Sequence, residues 1–288
     1  MEYLKDLETP AVIVDLDIME KNLKHTAELA RNAGVKLRPH CKTHKSIWIA
    51  KKQLEYGAAG ITVAKLSEAE VMADGGIDDI LVAYPIVGEK KLKRLENLIK
   101  RASIIVCTDS VEVSQGLSDL GVSMGRKIRT YVQVNSGLQR CGREPGEETA
   151  ELVKNIIGLP GIEIIGLITH AGFSYDYVGE DSIRAAAHKE ADALLTTKKM
   201  LEKEGIEIKE ISVGSTPTSK FIGEMSGVTE VRPGAYVFGD DQQLSTGIIT
   251  EDECAMHVLT TVVSTPREGS AIADAGLKTL CSDGCPHR

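Results

Sequence analysis

The sequence predicts an α/β chain built on a (β/α)₈ TIM-type barrel, followed by the start of an incomplete β-domain. Three observations point there. Short apolar runs recur over residues 1–240, and amphipathic, helix-like stretches fill most of the gaps. The length, 288 residues, is enough for one large α/β barrel or two average domains. After Gly239 the pattern changes to segments rich in Val, Thr and Ala with no helix between them. The expected division is therefore a barrel over residues 1–240 and the opening strands of a truncated C-terminal β-domain over 241–288. A doubly wound sheet shows the same alternation, and strand counting alone leaves it open.

The first apolar run, 11–14, is an extra strand outside the barrel. A helix starts near Asp17, a plausible N-cap, with Leu23, Ala27 and Ala30 as its buried stripe. Barrel strands are expected near 35–39, 60–64, 80–84, 103–107, 128–134, 162–168, 208–213 and 229–231. Helices are expected in most of the gaps, for example 46–56, 66–74, 88–101, 147–157 and 182–204, with Gly57, Gly60, Gly75, Gly76, Gly121 and Gly205 punctuating their ends. The segments 254–263 and 270–274 are the β-domain strands, and two strands do not make a stable sheet alone.

Hydrophobic residues make up 42% and charged residues 26%, the balance of an ordinary globular protein. A formal net charge of −8 argues against nucleic acid or an anionic membrane as the main partner. No apolar run spans a bilayer, and the opening MEYLKDLETP has no hydrophobic signal segment, so a cytoplasmic location is expected. The cysteines at 41, 107, 141, 254, 281 and 285 are scattered and read as reduced thiols. Cys281, Cys285 and His287 resemble a metal cluster, but three ligands in a tail are read as accidental.

Residues 37–45 read LRPHCKTHK, at the end of a short strand, where barrels carry their chemistry. A lysine becomes a nucleophile when its ammonium is desolvated or placed near other cations, because both disfavour the charged form. Arg38, His40, His44 and Lys45 are the candidates to supply that charge to Lys42; a solvated basic loop fits the spacing equally well. NSGLQRCG, 135–142, is a Gly-containing turn that presents Arg140 at the barrel mouth, or a surface turn. GLITHAG puts His170 just past a strand, where a lone histidine is more often structural. VGSTPTSK, 213–220, offers backbone amides and hydroxyls to an anion, although plain N-capping by Ser215 or Thr216 explains it as well. It lacks the P-loop pattern. In VRPGAYVFGD, 231–240, Pro233-Gly234 is a turn and Arg232 points into the site. Asp15, Asp109 and Asp274 are strand-end carboxylates, read as structural.

RPHCKTHK resembles the signature of the D-threonine aldolase and D-serine dehydratase family, which shares the alanine-racemase barrel. The resemblance runs in order from TPAVIVDLD at Thr9 to DAGLKTL at Leu280. It implies that Lys42 carries pyridoxal 5′-phosphate (PLP). It implies that Arg140 meets the cofactor's phenolate oxygen, that His170 packs on its ring and that Arg232 contacts its ring nitrogen. Gly214, Ser215 and Thr216 then hold its phosphate, with Tyr236. Several D-threonine aldolases carry a second histidine, the base, a few residues after the first. Here the chain continues Gly172, Phe173, Ser174, Tyr175, and Tyr175 is assigned that place. The departure moves the expectation towards the dehydratase branch. The implied activity is cleavage of a D-3-hydroxy amino acid, D-threonine giving glycine and acetaldehyde, or dehydration of D-serine to pyruvate and ammonia. A PLP-binding module without catalysis is the reading from a different class. The family also uses a divalent metal (Mn or Zn) held in the C-terminal β-domain; this chain stops before that motif, so no metal ligand is assigned. A homodimer is implied as well, in which the β-domain sits against the partner subunit's site.

Overall fold

The computed structural model describes residues 2–277 and 279–280. In chain order the elements are β1 (Ala11–Val14), α1 (Leu16–Asn32), β2 (Lys36–Leu37), α2 (Ile47–Glu55), β3 (Ile61–Val63), α3 (Leu66–Asp74), β4 (Asp79–Pro85), α4 (Glu89–Ile99), β5 (Ser103–Thr108), α5 (Val111–Ser123) and β6 (Ile128–Gln133). They continue with α6 (Glu147–Ile156), β7 (Ile162–Ile168), α7 (Glu180–Lys203), β8 (Glu210–Val213), the one-turn α8 (Thr216–Ser219), β9 (Glu230–Val231), α9 (Asp241–Thr246), β10 (Met256–Leu259), β11 (Val262–Arg267) and β12 (Ser270–Ala273).

An 8-stranded parallel sheet runs β2-β9-β8-β7-β6-β5-β4-β3. It curls until its edges meet. His40 bridges Thr62, Cys41 N–H donates to the Thr62 carbonyl at 2.8 Å, and Thr62 N–H donates to the Pro39 carbonyl at 2.8 Å. An open, doubly wound sheet has no such seam. The strand period of two sorts the core into two layers. Along β5, Ile104 and Val106 pack against the helices with Leu95, Leu98 and Leu117, while Ile105 and Cys107 pack inside the barrel with Leu81, Tyr131 and Ile168.

Three local details depart from expectation. Asp15, not Asp17, caps α1: its carboxylate accepts from Asp17 N–H at 3.0 Å and Ile18 N–H at 3.1 Å. Asp15 is held there because its own N–H is bonded to the Ala255 carbonyl at 2.7 Å. Gly121 lies inside α5 instead of ending it. Its reason is close approach: a Cβ there would stand 2.0 Å from the Gly161 carbonyl, and one on Gly161 would stand 1.9 Å from the Ser118 carbonyl. The apolar run 254–263 is also two strands, not one. β10 pairs antiparallel with β1, and β11 pairs with β12. The break is at Thr260–Thr261, which wrap the Asp274 carboxylate: Thr260 Oγ1 donates to it at 2.7 Å and Thr261 N–H at 3.0 Å. Thr9 donates to the same carboxylate. Asp274 is structural, as read.

Among the described residues no helix is long and apolar enough to cross a membrane. Cys41, Cys107, Cys141 and Cys254 are free thiols; Cys281, Cys285 and His287 lie outside the described residues.

The α5–β7 contact gives the first prediction. Gly161→Ala forces backbone apart and is expected to lower unfolding stability by about 1–3 kcal/mol. Gly158→Ala, where a Cβ meets nothing within 4 Å, is the matched control. Equal urea midpoints for the two variants would contradict the packing account.

Candidate active site

Inside the barrel, Glu230 of β9 is 1% exposed and Arg38, just past β2, is 5% exposed. Arg38 Nε donates to Glu230 at 2.6 Å, and its Nη1 pairs with Asp79. Ser212 Oγ donates to the other Glu230 oxygen at 2.6 Å. Two residues beyond Glu230, on the same inward face, lies Arg232. Its Nη1 donates to Ser212 Oγ and, at 3.0 Å, to the Val213 carbonyl; its Nη2 donates to the Thr169 carbonyl. Arg38 therefore belongs to the barrel interior and not to the surroundings of Lys42.

At the C-terminal ends of the strands, His40, Lys42, Arg140, His170, Gly214 and Arg232 line one cleft. The sequence places them after β2, β6, β7, β8 and β9, and closure of the sheet brings them together. Lys42 keeps an opening to solvent. Crowding of its ammonium by protein, and then the charges of Arg140 and Arg232, lower its pKa; Glu68 acts against this. The cations that act on Lys42 thus come from distant strands. Of the expected neighbours, Lys45 pairs with Glu68, and burial pulls His44 down to about 4, so it is uncharged at neutral pH. His40 is also held well below the usual histidine range by burial and then by Lys42; its Nδ1 accepts the Lys42 N–H at 3.2 Å. Neither Arg140 nor Arg232 forms an ion pair with a carboxylate among the described residues.

His170 Nδ1–H donates to the Gly214 carbonyl at 2.7 Å, which leaves Nε2 as the unprotonated nitrogen. Burial, then Lys42, lowers its pKa to about 3. Gly214, at φ +142°, passes so close to β9 that a Cβ would stand 2.6 Å from Arg232 N. Ser215 caps α8, accepting Thr218 N–H at 3.4 Å, and its hydroxyl shares a proton with Ser174 Oγ at 2.8 Å. Thr216 Oγ1 accepts Gly234 N–H at 3.2 Å, which joins this turn to the R-P-G segment. Asp109 accepts Gly142 N–H at 3.1 Å and so braces the Arg140 turn.

Tyr175 does not line the cleft with Lys42. It sits in the 3₁₀ turn Gly172–Asp176, its hydroxyl is bonded to Thr216, and burial pushes its pKa up to about 12. The bond to Thr216 sets Tyr175 against the turn that follows β8. Tyr236 is buried among Met19, Leu23, Ile49 and Phe238, where Gln53 Nε2 donates to its hydroxyl at 2.9 Å. The hydroxyl's own proton remains available, and with Thr216 the residue lines a small cavity behind α8.

Further polar residues were not foreseen. Gln133, at the end of β6, lines the cleft and has a buried Oε1 with no hydrogen-bond partner. Glu190, mid-helix in α7, is 0% exposed. Its Oε1 accepts Ala171 N–H at 3.1 Å and Gly214 N–H at 2.9 Å, and its Oε2 accepts Thr218 Oγ1–H at 3.0 Å. Burial raises its pKa; the bond from Gly214 and the charge of Arg232 oppose this. The signal was available: Glu190 interrupts the apolar stripe of Ile183, Ala187, Ala191 and Leu194.

The alanine racemase N-terminal domain matches residues 14–242, and a putative serine dehydratase domain matches 255–288. The chain is 33% identical over 286 residues to the D-threo-3-hydroxyaspartate dehydratase of Delftia sp. (strain HT23), covering 98% of this chain and 75% of that protein. It is 32% identical to a D-threonine aldolase of Arthrobacter sp., with 98% and 75% covered. It is 30% identical to the D-serine dehydratase of Dictyostelium discoideum, with 99% and 76% covered. The crystal structure of the D-threonine aldolase from Filomicrobium marinum superposes with a TM-score of 0.88 at 35% identity, over 96% of this chain and 75% of that one.

The His170 geometry predicts a silent titration. Its ¹⁵N shifts are expected to stay constant from about pH 8 to about pH 5, where an unperturbed histidine (pKa about 6.5) protonates. Below about pH 6.5 the unfolded state binds the proton that the folded ring refuses, so stability falls as the pH drops towards the folded value of about 3. A His170 midpoint near 6.5 would contradict its burial beside Lys42, since the bond to Gly214 acts in the opposite direction.

Proposed function

Because this chain belongs to the D-threonine aldolase and D-serine dehydratase family, with the alanine-racemase-type barrel, we propose that it is a PLP-dependent lyase that cleaves D-3-hydroxy amino acids. The observation that carries this is the Lys42 amine at the barrel mouth, its pKa lowered, beside Arg140 and Arg232. An amine that loses its proton readily is the group needed to hold a carbonyl cofactor covalently.

The residues present fit PLP. The cleft gathers cations without an ion-paired carboxylate, as a ligand carrying a phosphate and a phenolate requires. The buried Gln133 Oε1 is a polar atom in that cleft waiting for a donor. Gly234 lies where a Cβ would come within 3.1 Å of the His40 carbonyl, so the chain passes flush beside the Lys42 loop. In this reading Lys42 holds the cofactor, Arg140 faces its phenolate or the substrate carboxylate, and His170 lies against its ring. Arg232 faces the ring nitrogen and, being always charged, keeps it unprotonated. Gly214, Ser215, Thr216 and Tyr236 take the phosphate, with Ser215 acting through the turn that it caps. When bound, PLP supplies the sink for the negative charge left at Cα. The protein contributes orientation and a charge-matched, partly dry cleft.

A specific observation favours the dehydratase alternative: Lys42, its pKa lowered, lines the cleft, and an amine there suits removal of the α-proton. Among the described residues no group of three His, Cys, Asp or Glu side chains could hold a metal. We also propose that the division near residue 240 separates barrel from β-domain, with β1 on the far side through its pairing to β10.

Incubation with PLP, borohydride reduction and peptide mapping are expected to place a pyridoxyl group on Lys42. Lys42→Ala is expected to lose the label and at least about 10³-fold of turnover. Labelling only at other lysines would sink the proposal. Products assign the branch: glycine and an aldehyde for the aldolase, a 2-oxo acid and ammonia for the dehydratase.

A further inference from the structure

Glu190 is the feature of this molecule that the proposed chemistry leaves unexplained. A carboxylate in a buried helix face made otherwise of Ile, Ala and Leu with one Thr is costly to bury, and an apolar residue would pack there at lower cost. Its three bonds reach three different places: Ala171 just after His170, Gly214 at the start of the turn after β8, and Thr218 inside α8. The Gly214 peptide is consequently held on both sides. Its N–H is bonded to Glu190 at 2.9 Å and its carbonyl accepts His170 Nδ1–H at 2.7 Å. Ala171 N–H, fastened to the same Glu190 oxygen at 3.1 Å, fixes the backbone that carries the His170 ring. Two loops from neighbouring strands are thereby set against one another by one buried group.

We propose that Glu190 is a positioning residue: it holds the His170 ring in its Nδ1–H form and sets the Gly214–Thr216 turn in register with it, so that the ring face and the anion turn of the cleft are presented together. The carboxylate touches neither Lys42 nor the cleft itself and acts through the peptides on either side of it. The cofactor part of this rests on the proposal that the cleft takes PLP. The histidine part does not.

The test uses the full chain and the variants Glu190→Gln, Glu190→Asp and Glu190→Ala, with Leu194→Ala, one turn further along α7, as a control for lost packing. Two properties are read: the ¹⁵N shifts of His170 without PLP, and the PLP dissociation constant. Glu190→Gln keeps an oxygen for the two N–H groups and is expected to leave both close to the parent. Glu190→Ala and Glu190→Asp are expected to move His170 towards a mixture of tautomers and to weaken PLP binding about tenfold, the effect of about one lost buried hydrogen bond. Leu194→Ala is expected to lower thermal stability and to leave both readouts in place. If Glu190→Ala does not fold, Glu190→Asp decides. An unchanged His170 tautomer in the alanine or aspartate variant overturns the proposal, as does an equal change in Leu194→Ala. If the parent chain binds no PLP, the cofactor reading fails, and the His170 shifts alone still decide the role of Glu190.

Discussion

The ion pair between Arg38 and Glu230 is the constraint on which the rest of the site depends. Both groups are almost fully buried in the barrel interior, where each charge alone would be expensive. The pair stands between β2 and β9, adjacent strands of the sheet. Glu230 accepts from Ser212 on β8, and Ser212 accepts from Arg232. The floor of the cleft is thus connected to the waist of the barrel by hydrogen bonds, each with a defined direction. Removing one partner of such a pair leaves an uncompensated buried charge, which is why the barrel tolerates the network only when it is complete.

Above that network the cleft holds two kinds of group, and burial separates them. The histidines are neutral: His40 and His170 are desolvated and lie beside Lys42, which disfavours their protonated forms. The arginines remain charged, because a guanidinium keeps its proton in a protein. The result is a site with fixed positive charge and neutral acceptors, in which the lysine is the titratable cation with a lowered pKa. Carboxylates are present nearby but turned to other uses: Asp109 to the Gly142 amide, Glu68 to Lys45, Glu190 to the peptides of two loops. An anionic ligand therefore meets little repulsion from its first contacts.

The strands outside the barrel are tied to it by sequence-distant bonds. β1 pairs with β10, and the Asp15 that ends β1 also caps α1 while its N–H is held by Ala255. The start of the chain is thereby built into the segment that follows residue 240.

Much of this was determined by the sequence alone. The eight barrel strands and their helices followed from periodicity, because the alternation of apolar residues is a local property of each segment. Lys42, Arg140, His170, Gly214 and Arg232 stood at strand ends in patterns that left a structural reading open, the family resemblance singled them out, and the structure brings them into one cleft. What only the tertiary structure decided concerns partners far apart in the chain. Within LRPHCKTHK, Arg38 turned inwards to Glu230, 192 residues away, while Lys42 met cations from β6 and β9 instead of those beside it. Tyr175 went to Thr216 and does not line the cleft. The run 254–263 broke in two because Asp274 gathers Thr260 and Thr261. Glu190 acquired its purpose only when α7 packed over the ends of β7 and β8. The reason is common to all four: hydrophobic period is written into neighbouring residues, but a polar or charged group meets its partners wherever the fold brings them within reach.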